Sequence, residues 1–260
     1  MAFLDVKGIR KTFRRDEKTV VAIENFDLQV EEGEFVSIVG PSGCGKSTFL
    51  HIFGGFETCD SGEMLLDGMR VARPGPDRGM LFQEFALFPW KSVAGNIGWA
   101  LDAQGMPKDR IAEITERYIK LVGLTGFRDH YPGELSGGMK QRVALARMLA
   151  FEPRVLLMDE PFGALDAQTR ELMQEELNAI WQQTRRTVLF VTHDIEEAVY
   201  LSDRVIVFTA RPGRIKEQMT IDLPRPRGIE VKKSPEFMGY RNRIWDLLRE
   251  EVLKAREELR

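Results

Sequence analysis

Residues 40 to 48 read GPSGCGKST, and no other stretch limits the possible folds of this chain so tightly. The stretch fits G-x-x-x-x-G-K-[ST], a pattern that carries meaning only between a buried strand and a helix. FVSIV at 35 to 39 supplies the apolar strand, and KSTFLHIF from residue 46 opens a helical pattern. Gly40, Gly43 and Gly45 allow backbone conformations that turn several N–H groups toward one point, and the following helix adds about half a positive charge at its start. Pro41, Ser42 and Cys44 complete a loop suited to phosphate. Lys46 is placed to reach the β- and γ-phosphates of a nucleotide, Ser47 to ligate Mg²⁺, and Thr48 to support the loop. A glycine-rich turn with no ligand is the plainer alternative, and the flanking strand and helix argue against it.

Short apolar runs bounded by turn residues alternate with helical patterns through much of the chain, which predicts an α/β domain with a largely parallel sheet. Phe26, Leu28 and Val30 alternate with polar residues ahead of the EEGE turn, so an antiparallel β layer is expected to feed the central sheet. Further buried strands are expected at Met80 to Phe82, Val155 to Met158, Val188 to Val191 and Val205 to Phe208. QTRELMQEELNAIWQQT places Met173, Leu177, Ile180 and Trp181 on one helical face, with Asp166 positioned to cap the start. Residues from about 89 to 150 hold helical stretches and no convincing strand: Ile111, Ile114, Tyr118 and Leu121 share one face, and Met139, Val143, Ala146 and Leu149 another. The expected division is an α/β core at about 1–88 and 151–210, an inserted helical subdomain at about 89–150, and a tail at about 211–260. That tail is a Pro- and Arg-rich loop followed by an amphipathic helix carrying Ile244, Leu248, Val252, Ala255 and Leu259.

Composition narrows the class of partner. With 37 basic and 40 acidic residues the net charge is -3, so the chain has no basic footprint for nucleic acid. Cys44 and Cys59 are too few and too irregularly spaced for a disulfide framework or a zinc site, which fits a reducing compartment. The N-terminal residues lack the apolar core of a signal peptide, and no run reaches about 18 apolar residues. A cytosolic location is expected, with any membrane role supplied by a spanning partner.

RVLLMDE at 154 to 160 delivers Asp159 and Glu160 at the carboxyl end of a buried strand, where open α/β sheets place ligands. Asp159 is placed to hold hydrated Mg²⁺, and Glu160 to accept a proton from an attacking water. Gln83 follows the run GMLF and His193 follows TVLFVT. An amide there can order water or metal, and an imidazole can hydrogen-bond a γ-phosphate; each residue in isolation reads as ordinary surface polarity. ELSGGMKQR at 134 to 142 offers a second helix start with a serine and two glycines, and so a second place for an anion.

Taken together these residues resemble the ATP-binding subunit of ABC transporters, from about residue 4 to about 215. Seven elements stand in the family's order: Phe13 as the adenine-stacking aromatic, the GPSGCGKST loop, Gln83, LSGGMKQ, VLLMDE, GALD at 163 to 166, and His193. The resemblance implies a P-loop NTPase core of the RecA-like kind with an antiparallel β layer and an inserted helical subdomain. It also implies ATP and Mg²⁺ as ligands, with Ser47, Gln83 and Asp159 around the metal. Ser136, Gly137 and Gly138 would then contact ATP held by a second copy of the chain in a head-to-tail dimer, with Asp166 at the seam.

EFALFPW at 84 to 90 is unusually apolar for a connecting loop. In the family this region receives a short helix of the integral membrane permease, so Phe85, Leu87, Phe88 and Trp90 read equally as a docking surface or as core of the helical subdomain. QEFALFPWKSVAGNI, LSGGMKQR and ARPGRI resemble the bacterial importers of nitrate, sulfonates and taurine, which implies a peripheral place on the cytoplasmic face of the plasma membrane and an indirect solute-binding protein. A soluble ABC ATPase clamp working on DNA or ribosomes is the main rival, and the coiled-coil insertion, tandem cassette or basic surface usual there is missing. A small-molecule kinase or GTPase would have no use for SGGMKQR.

Overall fold

The computed structural model describes residues 2–15 and 18–257. In chain order the strands and helices are β1 (Leu4–Arg15), β2 (Lys18–Val30), β3 (Phe35–Val39), α1 (Lys46–Gly54), β4 (Ser61–Leu66), β5 (Met69–Arg70), β6 (Arg78–Leu81), α2 (Val93–Ala103), α3 (Lys108–Leu121), α4 (Gly137–Ala150), β7 (Val155–Asp159), α5 (Ala167–Thr184), β8 (Thr187–Val191), α6 (Ile195–Leu201), β9 (Arg204–Phe208), β10 (Ile215–Thr220) and α7 (Pro235–Glu257). They fall into two compact units, one of residues 1–75 with 185–260 and one of residues 76–184.

The first unit holds an antiparallel sheet in the order β2-β1-β4-β5. Its register runs Leu4↔Val30 on one side of β1 and Leu4↔Leu66 on the other. The alternation seen in the sequence is the cause: Phe26, Leu28 and Val30 are buried while the residues between them face outward. Beside it β3 pairs in parallel with β8 and β9, and β10 adds to β9 antiparallel. All five residues of β3 and of β8 are buried, as continuous apolar runs in a covered parallel sheet require. Phe26 meets the rings of Phe49 on α1 and Phe208 on β9 at 4.6 and 5.0 Å, so an aromatic cluster underlies the first helix. Fully burying such a side chain contributes about 1.5–3 kcal/mol.

The second unit pairs β6 with β7 in parallel, from Arg78↔Val155 to Leu81↔Met158. Helices α2, α3 and α4 pack on one another. Tyr118, Val143, Ala146 and Leu149 are buried on the faces expected, while Ile111, Ile114, Leu121 and Met139 are half-buried. Met173, Leu177, Ile180 and Trp181 form the buried stripe of α5.

The structure departs from the sequence expectation in three places. β6 ends at Leu81, and Phe82 lies beyond it, 39% exposed. The tail expected to be a loop contains β10, whose mixed polar sequence IKEQMT is only half-buried on a sheet edge. Helix α7 buries Phe237, Ile244, Leu247 and Glu251 instead of the stripe through Leu248 and Val252. Leu259, assigned to that stripe, lies outside the described residues. A paired charge turns the helix: Glu251 accepts from the Ala210 N–H at 2.9 Å and pairs with Lys216 at 2.9 Å. Burial pushes the Glu251 carboxyl up, but the Lys216 ammonium and the Ala210 N–H outweigh it and hold it below the ordinary range. Lys216 also donates to the Leu247 carbonyl, tying β10 to α7.

Candidate active site

On the first unit the loop GPSGCGKST joins β3 to α1. Gly43 and Gly45 take φ of 76° and 106°, the left-handed region that favours glycine. Gly40 lies against Phe208, where an added Cβ would sit 2.8 Å from that residue's Cβ. Lys46 is buried, and its Nζ donates to the carbonyls of Gly40 at 2.8 Å and Pro41 at 3.1 Å, which holds the ammonium over the loop. Gly45 caps α1 without a side chain, and no acid stands in the first turn, so the positive end of the helix is left for an external anion. Ser42 and Ser47 are exposed, Thr48 is half-buried, and the Cys44 thiol is buried, which pushes its pKa up.

Phe13 projects from β1 and is 41% exposed, with the Lys11 ammonium 5.1 Å from its ring centroid. An exposed ring of this kind offers a flat apolar face on which a planar ligand can stack. His193, also exposed, follows β8 in a tightly built turn. There the Thr192 hydroxyl donates to Glu197 at 2.6 Å and accepts from the Asp194 N–H at 3.0 Å, and Asp194 caps α6 through the N–H groups of Glu196 and Glu197.

Two residues of this unit escaped the sequence reading. Arg211 donates from Nε and Nη2 to the Gly43 carbonyl at 3.1 and 2.9 Å, a two-pronged hold on the phosphate loop. Gly213 passes so close that an added Cβ would lie 2.2 Å from the Cys44 carbonyl oxygen, while its own N–H donates to Ala22 at 2.9 Å. The only signal was the turn chemistry of ARPGRI, which says that the chain bends and not what it bends against.

On the second unit β7 is buried throughout and ends in Asp159, 8% exposed. Glu160 follows at φ 45°, an uncommon conformation for a non-glycine residue and one found at functional turns. Gly163 sits where an added Cβ would be 3.8 Å from Gln83 Nε2 and 3.9 Å from Glu160 Cβ, so Gln83 borders the turn that carries Glu160. Asp166 Oδ1 accepts from the Thr169 N–H at 3.0 Å. Hydrogen bonds from Thr169 hold the Asp166 carboxyl below the ordinary range, so it stays ionised at the start of α5.

Ser136 caps α4, its Oγ accepting from the Met139 N–H at 3.3 Å. No acid stands in the first turn of α4, and Ser136 and Gly137 are exposed. Gly138 is buried, and an added Cβ would lie 2.6 Å from Thr169 Cγ2, which locks the start of α4 onto the turn capped by Asp166. The second unit thus presents its own open helix start.

The segment 84–90 is fixed by two polar side chains that the sequence did not single out. Arg147 donates to the carbonyls of Ala86 and Phe85 at 2.9 and 3.2 Å. Asn96, fully buried, accepts from the Phe88 N–H and donates to Lys91 and Ser92 carbonyls. Phe85, Leu87 and Phe88 are half-buried, whereas Trp90 is 71% exposed. Trp99 on α2, also missed, is 43% exposed, its ring tilted against Phe88 with centroids 4.8 Å apart, beside a cleft of about 300 Å³.

The ABC transporter family model matches residues 23–163. An uncharacterized ABC transporter ATP-binding protein of Methanocaldococcus jannaschii is 52% identical over 97% of this chain and 93% of its own length. The nitrate import ATP-binding protein NrtD of Synechocystis is 47% identical over 95% of each chain. The aliphatic sulfonates import ATP-binding protein SsuB of Bacillus cereus is 45% identical over 93% of this chain and 94% of its own. Among solved structures, a dimeric ATP-binding cassette in a post-hydrolysis state bound to ADP and Pi superposes with a TM-score of 0.74 at 33% identity, covering 87% of this chain and all of that one. The chain belongs to the ABC transporter family, as one of its ATP-binding subunits with the cassette's P-loop NTPase fold, and is an ATPase that powers transport.

Proposed function

We propose that this ATPase drives import of a small oxyanion, such as nitrate, a sulfonate or taurine, through a separate integral membrane permease. It works as a head-to-tail pair of copies on the cytoplasmic face of the bacterial plasma membrane, with a solute-binding protein acting indirectly. The observation that carries this reading is the 45–47% identity to nitrate and sulfonate import subunits over nearly their whole lengths. Among the described residues no helix is long and apolar enough to cross a membrane, in keeping with a spanning partner. Reconstitution with the permease and binding protein, followed by ATP turnover against a panel of nitrate, taurine and alkanesulfonates, tests the solute. One of them is expected to stimulate turnover severalfold, and stimulation only by sugars or amino acids would overturn the assignment.

In this reading the amides of residues 40–48 and Lys46 bind the phosphates while Phe13 stacks on the base. The open start of α4, with Ser136, Gly137 and Gly138, meets the γ-phosphate of ATP bound to the other copy, and Asp166 communicates across that seam. Ser47, Asp159 and Gln83 offer oxygen donors only, the set a hard cation such as Mg²⁺ takes. When bound, Mg²⁺ neutralises charge on the β- and γ-phosphate oxygens. Glu160 accepts the proton of the attacking water, Gln83 orders that water, and His193 hydrogen-bonds the γ-phosphate.

Two results check the roles separately. His193→Ala is expected to lower turnover by about a hundredfold, the effect of losing one donor to the transition state, with ATP affinity little changed. Near-normal turnover would remove His193 from the chemistry. Trp90→Ala is expected to weaken permease binding by roughly thirtyfold, a hot-spot loss of about 2 kcal/mol, in a pull-down titration while basal ATP turnover holds. Equal loss of basal turnover would mark the segment 84–90 as core.

A further inference from the structure

Beside the phosphate loop the first unit holds a cavity of about 390 Å³ whose far wall is α7. That volume falls in the range of small-molecule sites, which run from about 300 to 1,000 Å³. Its surface is mostly apolar, formed by Ile195, Trp245, Leu248, Val252 and Leu253. The residues that α7 buries, Phe237, Ile244, Leu247 and Glu251, are not among those that line the cavity. Trp245, Val252 and Leu253 are 57%, 39% and 49% exposed, a cluster of large apolar side chains gathered round a hollow instead of scattered singly.

The charges of the wall are of one sign. Arg249 and Arg256 line it, no carboxylate does, and neither arginine forms an ion pair with any described residue. An occupant that satisfies both features has an apolar chain for the tryptophan and leucine side and an anionic head for the guanidinium pair. The near wall is Gly40 and Pro41 of the phosphate loop together with His193. A molecule seated here touches both the start of the loop and the imidazole.

We propose that this cavity is a regulatory site for a single-chain amphiphilic anion, a medium-length alkyl sulfonate or carboxylate, whose binding changes the rate of ATP turnover through Gly40, Pro41 and His193. The effect on turnover rests on the proposed role of His193; binding itself does not.

The test is calorimetric titration of the full chain, free of nucleotide, with decane-1-sulfonate below its micelle concentration, alongside decan-1-ol and inorganic sulfate. The expected result is one saturable site, with at least tenfold weaker binding of the alcohol and of sulfate. The exposed-position variants Leu253→Asp and Arg249→Ala/Arg256→Ala are each expected to lose at least tenfold in affinity, and circular dichroism checks that they fold. Saturating probe is expected to shift wild-type ATP turnover at least twofold and to leave the Leu253→Asp rate where it was. Heats that never saturate, equal binding of sulfonate and alcohol, or variants that bind like wild type would overturn the site. Binding that falls away as protein concentration rises would assign the cavity to a second copy instead, and saturable binding with unchanged turnover would overturn its regulatory part. A normal His193→Ala rate beside an intact isotherm would count against the catalytic reading alone.

Discussion

Glu160→Gln is expected to lower ATP turnover by about 10²–10⁴-fold, the range for loss of a general base, while ATP binding is retained. The substitution keeps the shape of the side chain but exchanges the carboxylate for a neutral amide, which cannot accept the proton. Glu160 sits at φ 45° directly after a fully buried strand, so its position is set by the backbone and not by its charge. Glutamine inherits that position. Because cleavage is what releases the proposed clamp, the variant is also expected to elute as a dimer with ATP and as a monomer with ADP. Single-turnover assays and size-exclusion chromatography read the two effects. A variant that still hydrolyses at the wild-type rate would require another base, and one that stays monomeric with ATP bound would count against the clamp.

The second large effect is expected at a residue remote in sequence from every nucleotide motif. Gly213→Val places a Cβ 2.2 Å from the Cys44 carbonyl oxygen and 3.2 Å from that of Ala22, and both neighbours are backbone. Neither can swing aside as a flexible side chain would, so the phosphate loop or the Gly213 turn has to move. Overpacking of this kind costs about 1–3 kcal/mol, and more where the frame is rigid. For a chain of this size that lowers Tm by roughly 2–12 °C. ATP affinity is expected to fall at least tenfold with it, because the displaced segment carries the phosphate-binding amides. Gly228→Ala is the control, since nothing lies within 4 Å of its added methyl group. Wild-type Tm and ATP affinity in Gly213→Val would show that the close approach does not support the loop.

These two variants mark where sequence and structure part. The phosphate loop was legible because its chemistry is local: glycines at fixed offsets, a lysine, and a helix whose start is written in the next residues. The strand end at Asp159 was legible for the same reason, since it closes an unbroken apolar run. The parts that were not legible depend on what the chain meets elsewhere. Arg211 and Gly213 read as an ordinary Pro-Gly bend, and only the fold brings that bend onto Gly43 and Cys44. β10 has too little apolar alternation to announce itself, since an edge strand half-open to solvent needs little. The buried face of α7 was misread because Glu251 scores as polar, yet with Lys216 and the Ala210 N–H it is a satisfied buried group. Trp99 was not legible because a tryptophan within a helical stretch gives no sign of facing outward, yet it lies 43% exposed beside Phe88.

The proposed clamp requires that Ser136 and its glycines serve ATP bound by the other copy. Mixing two separately inactive variants tests it most directly. Lys46→Ala disables the phosphate loop, and Ser136→Glu puts a negative charge where the γ-phosphate is received. In a head-to-tail pair of one copy of each, one site carries both defects and the other carries neither. The predicted result is that the mixture hydrolyses ATP well above the sum of the two preparations assayed alone. A mixture no more active than that sum would mean that each chain uses its own serine, and the shared clamp would be wrong.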